Sequence, residues 1–195
     1  MKAKKSKSKP VQVSSPLTYI HKNLKNLDME CYISKGRIFE MGMAVVAVVR
    51  QMPSGKFCVA NFLLDVFCLG LKNTDYRFAI TEDELEEYLE ELFQKFSGYI
   101  PIDNIEANNL IYGAIDYAKD LGFKPQKDWV ITKFFLNEDY ITDLIDTIPF
   151  GKDGKPFYIS GPYDNVSFVM NTLRKTVGEG NFLSMTYLSD VTDED

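Results

Sequence analysis

The stretch FCVANFLLDVFCLGLKN, residues 57–73, is the longest nearly continuous apolar run in the chain, and it holds a single acid, Asp65. Its β-branched, aromatic and aliphatic residues predict a buried β-strand that runs into a Cys-Leu-Gly turn. Just upstream, MAVVAVVRQ at residues 43–51 has the same character, and Pro53-Ser54-Gly55 is a turn signal. The segments 43–51 and 56–67 are therefore predicted to form a β-hairpin.

Period-two alternation divides the second strand of this hairpin into two faces. One face is wholly apolar, whereas the other carries the polar side chains Asn61 and Asp65. We expect the apolar face to lie in the core, and its members are Cys58, Ala60, Phe62, Leu64, Val66 and Cys68.

Asp65 is the leading candidate for a functional group. A carboxylate within an apolar strand must be paired, hydrogen-bonded or protonated, because burying it alone is too costly. Such acids serve as general acids, general bases or Mg²⁺ ligands, so Asp65 is a candidate catalytic residue and metal ligand. The structural alternative is a carboxylate that accepts backbone N–H groups or pairs with Arg50 or Lys72. We favour the structural alternative, since perturbed acids are also common in structural networks.

Three further residues complete the set of candidate catalytic groups. Cys68 follows Asp65 closely, and Lys72 is a nearby cation that could activate a thiol. The alternation nevertheless places Cys68 on the apolar face, which predicts an inert core thiol. Asp116, on a predicted helix, is the candidate second carboxylate, although a solvated helix surface is the simpler interpretation of the face formed by Asn109, Tyr112, Asp116 and Lys119.

Composition excludes several classes of site. The chain has one histidine, His21, so multi-histidine metal sites are impossible, and no P-loop, GxGxxG or HExxH motif is present. No cofactor is expected. Cys31, Cys58 and Cys68 are odd in number and form no CxxC pair, which is typical of reduced thiols in a cytoplasmic protein. No apolar run reaches the roughly 20 residues of a membrane span, so we expect no membrane association.

The charge distribution is uneven along the chain. The formal net charge is −6, and the first ten residues carry five lysines and no acid, so removing those five positive charges leaves −11 for residues 11–195. Because phosphate contacts supply most nucleic-acid affinity, an acidic body argues against nucleic-acid binding except through the basic N-terminal tail. Residues 1–14 are predicted to be a disordered tail, 15–189 one domain, and 190–195 a frayed acidic end.

The rest of the chain mixes helices and short strands. Apolar spacing predicts helices at about 16–27, 81–97, 105–121, 128–136 and 164–178, with N-caps at Ser15, Thr81, Asn104 and Asp164. Gly113, within a helix, suggests close packing against a strand. Short strands are predicted at 29–33 and 182–188, and a second hairpin at 145–150 and 157–160. Without regular βαβ alternation, this predicts an α+β fold whose mainly antiparallel sheet is built from hairpins, with three to five packed helices.

Two glycine-containing segments are weak candidates for anion binding. The segment 151–156, GKDGKP, could cradle an anion, but a polar hairpin turn needs the same residues. Gly161-Pro162-Tyr163-Asp164 begins a predicted helix, where an acid at the cap would compete for the free N–H groups. We discount both segments.

Several segments together resemble a family of uncharacterised bacterial proteins. They are MGMAVVAVVRQMPSGKFCVANFLLDVFCLGLKNTDYRF (41–78), ANNLIYGAIDYAKDLGFKPQKDW (107–129), FGKDGKPFYISGP (150–162) and VGEGNF (177–182), and the resemblance covers about residues 24–188. It marks Asp65, Cys68, Leu69, Gly70 and Lys72 as pattern positions but implies no known activity. The family pattern often has a histidine where this chain has Asn108, which argues against catalysis that depends on histidine.

Two functional hypotheses follow. The first is a non-catalytic cytoplasmic module that binds a protein partner or serves a regulatory role, because no catalytic constellation is evident. The second is a carboxylate-dependent hydrolase or nuclease, with or without Mg²⁺, that uses Asp65 with a second acid such as Asp116. The exposure and the partners of Asp65 discriminate between them.

Overall fold

A computed structural model describes residues 15–186 of the chain. Six α-helices and seven β-strands occur in this part, and two of the helices have only four residues. The predicted α+β fold is confirmed. In chain order the elements are α1 Pro16–Asn23, β1 Met29–Ser34, α2 Ile38–Met41, β2 Met43–Gln51, β3 Phe57–Asp65, β4 Gly70–Ile80, α3 Glu82–Phe93, β5 Tyr99–Ile102, α4 Asn104–Asp120, α5 Trp129–Thr132, β6 Phe157–Ile159, α6 Val166–Thr176 and β7 Leu183–Met185.

The principal sheet has five strands in the order β4-β3-β2-β1-β5, and each neighbouring pair is antiparallel. Its centre is the predicted hairpin, in which Met43 pairs with Asp65 and Gln51 pairs with Phe57. The core strands are rich in Val, Ala and Leu because both faces of the sheet are covered.

The two faces of the sheet pack against different helices. The predicted apolar face of β3 lies against α4, where Ala107, Ile111 and Ala114 are fully buried. On the opposite face, Val59 packs with Leu89 and Phe93 of α3. The alternation inferred from the sequence is therefore confirmed within β3, whereas Val66, Phe67 and Cys68 lie beyond the strand in a turn.

Arg50 is the largest fully buried side chain. It was a predicted partner for Asp65, but its guanidinium donates instead to the backbone carbonyls of Phe135 at 2.7 and 2.9 Å and of Leu27 at 2.7 Å. Three carbonyl hydrogen bonds thus satisfy the buried cation. Arg50 thereby joins the sheet to the segments that follow α1 and α5.

Strands β4 and β5 were not predicted. The sequence of β4, GLKNTDYRFAI, mixes polar and apolar residues because it lies at the edge of the sheet, where only part of its surface is buried. Strand β5 contains Pro101, which a central strand of a sheet excludes because proline has no N–H group, but which an edge strand tolerates. Their pairing with β3 and β1 is decided by the sheet rather than by local pattern.

The predicted second hairpin at 145–150 and 157–160 is wrong. Residues Asp143–Thr147 form a 3-10 helix, and β6 pairs in parallel with β7 rather than with the preceding segment. The turn itself is present, since Lys152 and Lys155 form an isolated bridge. The short apolar run at 145–150 packs against α4 instead, because the Ile145 and Phe150 side chains fill the space left by Gly113. Gly113 therefore contacts a loop and not the predicted strand.

Two predicted helix caps are displaced by one residue. The N-cap of α4 is Asp103, whose side chain accepts from the N–H groups of Ile105 and Glu106, and not Asn104. The N-cap of α6 is Asn165 and not Asp164. The predicted N-cap at Thr81 is confirmed, and Glu84 completes a capping box with it. Helix α4 ends as predicted, because N–H groups of the residues after it bind back to carbonyls of its last turn.

The predicted tail at 1–14 and acidic end at 190–195 lie outside the described residues, as do the last two residues of the strand predicted at 182–188. Within residues 15–186, none of the helices combines the length and the apolar character that crossing a bilayer requires.

Gly70 allows α4 to approach the sheet. Its φ is +65°, and an added Cβ would lie 2.6 Å from both the Ala114 carbonyl oxygen and the Ala118 Cβ. We expect Gly70→Ala to lower the free energy of unfolding by about 3 kcal/mol or more. The left-handed backbone costs about 1–2 kcal/mol and overpacking about 1–3 kcal/mol.

Gly55→Ala is the matched control in urea denaturation. Gly55 has a φ of +76° with nothing within 4 Å of an added Cβ, so only the backbone cost, about 1–2 kcal/mol, should remain. Equal losses for the two variants would contradict a packing role for Gly70.

Candidate functional site

The candidate site is built around the turn that joins β3 to β4. Asp65 is the last residue of β3, and its Oδ1 accepts hydrogen bonds from the N–H groups of Phe67 and Cys68, both at 3.0 Å. These bonds end the strand and fold the chain back on itself. The predicted structural role of Asp65 as an acceptor of backbone N–H groups is therefore seen directly.

Burial controls the ionisation of Asp65. The residue is 5% exposed, and this burial raises its pKa from 3.8 to about 6. The hydrogen bond from the Phe67 N–H and the charge of Lys72 both lower the pKa and offset part of the rise. Asp65 therefore titrates near neutral pH, as a poorly compensated buried carboxylate does.

Lys72 does not pair with Asp65 directly. Its Nζ donates to Asp164 Oδ2 at 3.0 Å, and the Gly161 N–H donates to the same oxygen at 2.8 Å. Both charged side chains are largely buried, at 20% exposed for Lys72 and 13% for Asp164. Asp164, which the sequence presented only as a helix cap, is thus a member of the site.

Tyr158 is a second residue of the site that the sequence did not reveal. Its ring is fully buried, and its hydroxyl lies beside the Asp164 carboxylate without reaching a hydrogen bond of good geometry. Burial and the neighbouring Asp164 charge raise the pKa of Tyr158 to about 12. The hydroxyl therefore stays neutral.

Cys68 is enclosed in the hydrophobic cluster that joins α4 and α6, together with Ala118, Tyr158 and Leu173. Burial raises the pKa of its thiol, the Asp65 charge raises it further, and Lys72 only partly opposes them. A nucleophilic cysteine needs a lowered pKa, so this environment suits an inert thiol. Cys31 and Cys58 are also free and buried.

Asp116 does not belong to this site. It is exposed on α4, and its charge contributes to the raised pKa of Tyr112. The neighbouring polar residues behave differently from the expected solvated surface. Asn108 and Asn109 are fully buried, and their side-chain oxygens accept from the N–H groups of Asn137 and Thr142. They hold the loop after α5 against α4.

Two cavities meet at Lys72. The smaller, about 180 Å³, is lined by Asp65 and by mainly apolar residues, namely Met41, Gly42, Met43, Phe67, Lys72, Phe157, Ile159, Ser160 and Gly161. The larger, about 470 Å³, is lined by both members of the Lys72–Asp164 pair. Its lining residues are Leu69, Leu71, Lys72, Gly122, Phe123, Lys124, Gln126, Asp164, Phe168 and Val169.

His21 lies apart from both cavities. Its ring packs on Phe134 with 4.3 Å between the ring centroids, and it lines a separate depression of about 280 Å³ with Asn137 and Glu138. It is exposed on α1.

The ligands for a metal ion are not assembled at Asp65. Within residues 15–186, no group of three or more His, Cys, Asp or Glu side chains is arranged to hold an ion.

The two lysines of the turn at 151–156 have partners within the protein. Lys155 Nζ donates to the Gly180 carbonyl at 3.0 Å, and Lys152 Nζ lies 5.4 Å from the Phe67 ring centroid.

Comparisons with protein families, with curated proteins and with solved structures give no match for this chain. The resemblance to a bacterial family therefore stays a prediction. Of its pattern positions, Asp65, Cys68 and Gly70 lie together at the β3–β4 turn, and Lys72 follows within β4.

The raised pKa of Asp65 predicts a pH dependence of stability. Between pH 4 and pH 6 the folded state binds more protons at Asp65 than the unfolded state does, so its contribution to stability falls as pH rises. Two pKa units correspond to about 3 kcal/mol. The free energy of unfolding of the wild type, measured relative to Asp65→Asn, should fall by up to that amount across this window.

Asp116→Asn is the matched control for this measurement, because it removes an exposed aspartate from α4. Its unfolding free energy should run parallel to that of the wild type. A constant difference between the wild type and Asp65→Asn from pH 4 to pH 7 would contradict a raised pKa.

Proposed function

We propose that this protein is a non-catalytic binding module that receives a protein partner at the surface around the Lys72–Asp164 ion pair. The observation that carries the proposal is the meeting of two cavities with largely apolar walls at this pair. Recognition sites commonly combine apolar walls with a few polar groups in fixed positions. Here the cavity walls supply the apolar contact area, and the largely buried ion pair supplies the polar groups.

Exposed aromatic residues beside the larger cavity support the proposal. Phe168 lines the cavity and is 58% exposed, and Tyr163, adjacent to Asp164, is 98% exposed. Large aromatic side chains are costly to leave in water and are enriched among the residues that dominate binding energy. Lys124 at the same cavity adds a positive charge to its edge, which favours a partner with acidic as well as apolar groups.

The chemistry of the site favours binding over turnover. The Cys68 thiol has a raised pKa, and the Oδ1 of Asp65 is occupied by two backbone N–H groups. The alternative, a carboxylate-dependent hydrolase or nuclease using Asp65, needs a second acid beside it, and Asp116 is exposed on α4. That alternative predicts that turnover is lost on Asp65→Asn and that Mg²⁺ raises the melting temperature.

We further propose a cytoplasmic location, supported by the three buried free thiols. The acidic composition, with a net charge of −6, supports a protein partner rather than nucleic acid, whose binding would fall to the basic N-terminal tail.

Site-directed photocrosslinking tests the proposal in cells. With benzoylphenylalanine in place of Phe168, we expect a discrete crosslinked protein, because this side chain stands at the mouth of the larger cavity. The control position is Glu87, which is exposed on α3 on the opposite face of the sheet and should give no such product. The crosslinked protein should then bind the purified chain directly.

Variants separate specific binding from chance proximity. Phe168→Asp should weaken binding of the purified partner by at least about tenfold, which corresponds to about 1.4 kcal/mol. Glu87→Gln should leave it unchanged. Equal crosslinking from both positions, or binding unaffected by Phe168→Asp, would contradict the proposed surface.

A further inference from the structure

The smaller cavity has a chemical character of its own. It lies between the β3–β4 turn and β6, and its volume is about 180 Å³. Its walls combine a carboxylate, Asp65, with two aromatic rings, Phe67 and Phe157, and two thioethers, Met41 and Met43. This volume is below the roughly 300–1,000 Å³ of pockets that hold drug-sized ligands. It therefore suits a single side chain or a small molecule.

The carboxylate that lines this cavity has no directly paired cation. Lys72 is the sole cation among the described residues that line it, and its Nζ is held 3.0 Å from Asp164 Oδ2. Lys72 is thus engaged by Asp164, which does not line this cavity, and Lys152 lies over the Phe67 ring. Asp65, at 5% exposed, has backbone N–H partners but no cation of its own. An entering cation would pair with the Asp65 carboxylate, whereas an anion would be repelled by it.

The aromatic walls favour a cation as well. Phe67 and Phe157 lie with ring centroids 5.9 Å apart at an angle of 32°. Phe67 already accepts one cation of the protein, because Lys152 Nζ lies 5.4 Å from its centroid. Aromatic faces attract ammonium groups through their quadrupole, and the attraction grows when the cation is shielded from water.

We propose that this cavity binds a primary alkylammonium group, which places its charge at Asp65 and its alkyl chain against Phe67 and Phe157. The shared chemistry has two sources, a lysine side chain of a protein or a free small amine. The lysine source rests on the proposed function, since the partner would supply it. The free-amine source stands on the cavity alone.

Titration of the ¹⁵N-labelled full-length chain with n-butylammonium tests the proposal without a partner. We expect saturable shifts of the Phe67 and Cys68 amide signals, because both N–H groups are bonded to the carboxylate that would receive the ammonium. The uncharged n-butanol should bind at least about tenfold more weakly. Equal affinity for the amine and the alcohol would overturn the proposal, since it would show an apolar void without charge selection.

Two variants test whether amine binding needs the charge of Asp65 and the open space of the cavity. Asp65→Asn keeps an oxygen acceptor for the turn but removes the charge, and should lose at least tenfold in affinity (about 1.4 kcal/mol). Ile159→Phe keeps Asp65 and fills the cavity, and should also lose binding. The exposed control Asp116→Asn should bind like the wild type. Unchanged affinity in both cavity variants, with their folding verified by circular dichroism, would overturn the proposal.

A third arm distinguishes the two sources. Nα-acetyl-lysine methylamide should bind at least as tightly as n-butylammonium if the cavity accepts a protein lysine, whereas its Nε-acetylated form should not bind. Binding of n-butylammonium alone would assign the cavity to a free amine. Both amines are titrated against the purified chain without a partner. Failed photocrosslinking at Phe168 would therefore contradict the proposed function but not amine binding in the cavity.

Discussion

The carboxylate of Asp65 holds the turn at the end of β3. The 151–156 turn and β6 are in turn hydrogen-bonded to this β3–β4 turn. Two N–H groups that follow the strand bind to Asp65 Oδ1. The carbonyls in the turn then point outward and serve as attachment points. The Val66 carbonyl accepts from the Gly151 N–H at 2.9 Å, and the Phe67 carbonyl accepts from the Phe157 N–H at 3.0 Å. One buried acid therefore positions the principal sheet, the 151–156 turn and the small β6–β7 sheet relative to one another.

This arrangement explains why a costly charge is kept in the core. A buried carboxylate is tolerated only where hydrogen bonds or cations compensate it, and at Asp65 the compensation is partial, as its pKa of about 6 indicates. Tyr158, Asp164 and Lys72 extend the polar cluster toward the surface, where Lys72 lines both cavities. The inner part of the cluster fixes the β3–β4 turn, and its outer members, Lys72 and Asp164, line the larger cavity.

Local pattern predicted much of the fold for identifiable physical reasons. The β2–β3 hairpin is covered on both faces, so its apolar run was unambiguous, and the capping box at Thr81 is a contact over three residues. Strands β4 and β5 escaped prediction because an edge strand is only partly buried and tolerates polar residues and proline. The apolar run at 145–150 has the pattern of a strand, but it packs on Gly113 of α4. Periodicity alone does not distinguish a short buried strand from a short buried helical segment.

For the site, the sequence by itself determined that Asp65 is an acid within a buried strand beside a turn, because the apolar pattern of that strand sets its position. The burial of Cys68 was also predicted, but this residue lies in the turn after β3, so packing against α4 and α6 buries it rather than alternation along the strand. Only the tertiary structure decided their surroundings. Lys72 meets Asp164 across 92 positions of the chain, and Asn109 meets Thr142 across 33. Such contacts depend on how α4, α6 and the small sheet pack on the turn, and no periodicity within a single element encodes them. The cavities at Lys72 arise from the same packing, because residues from distant parts of the chain line them.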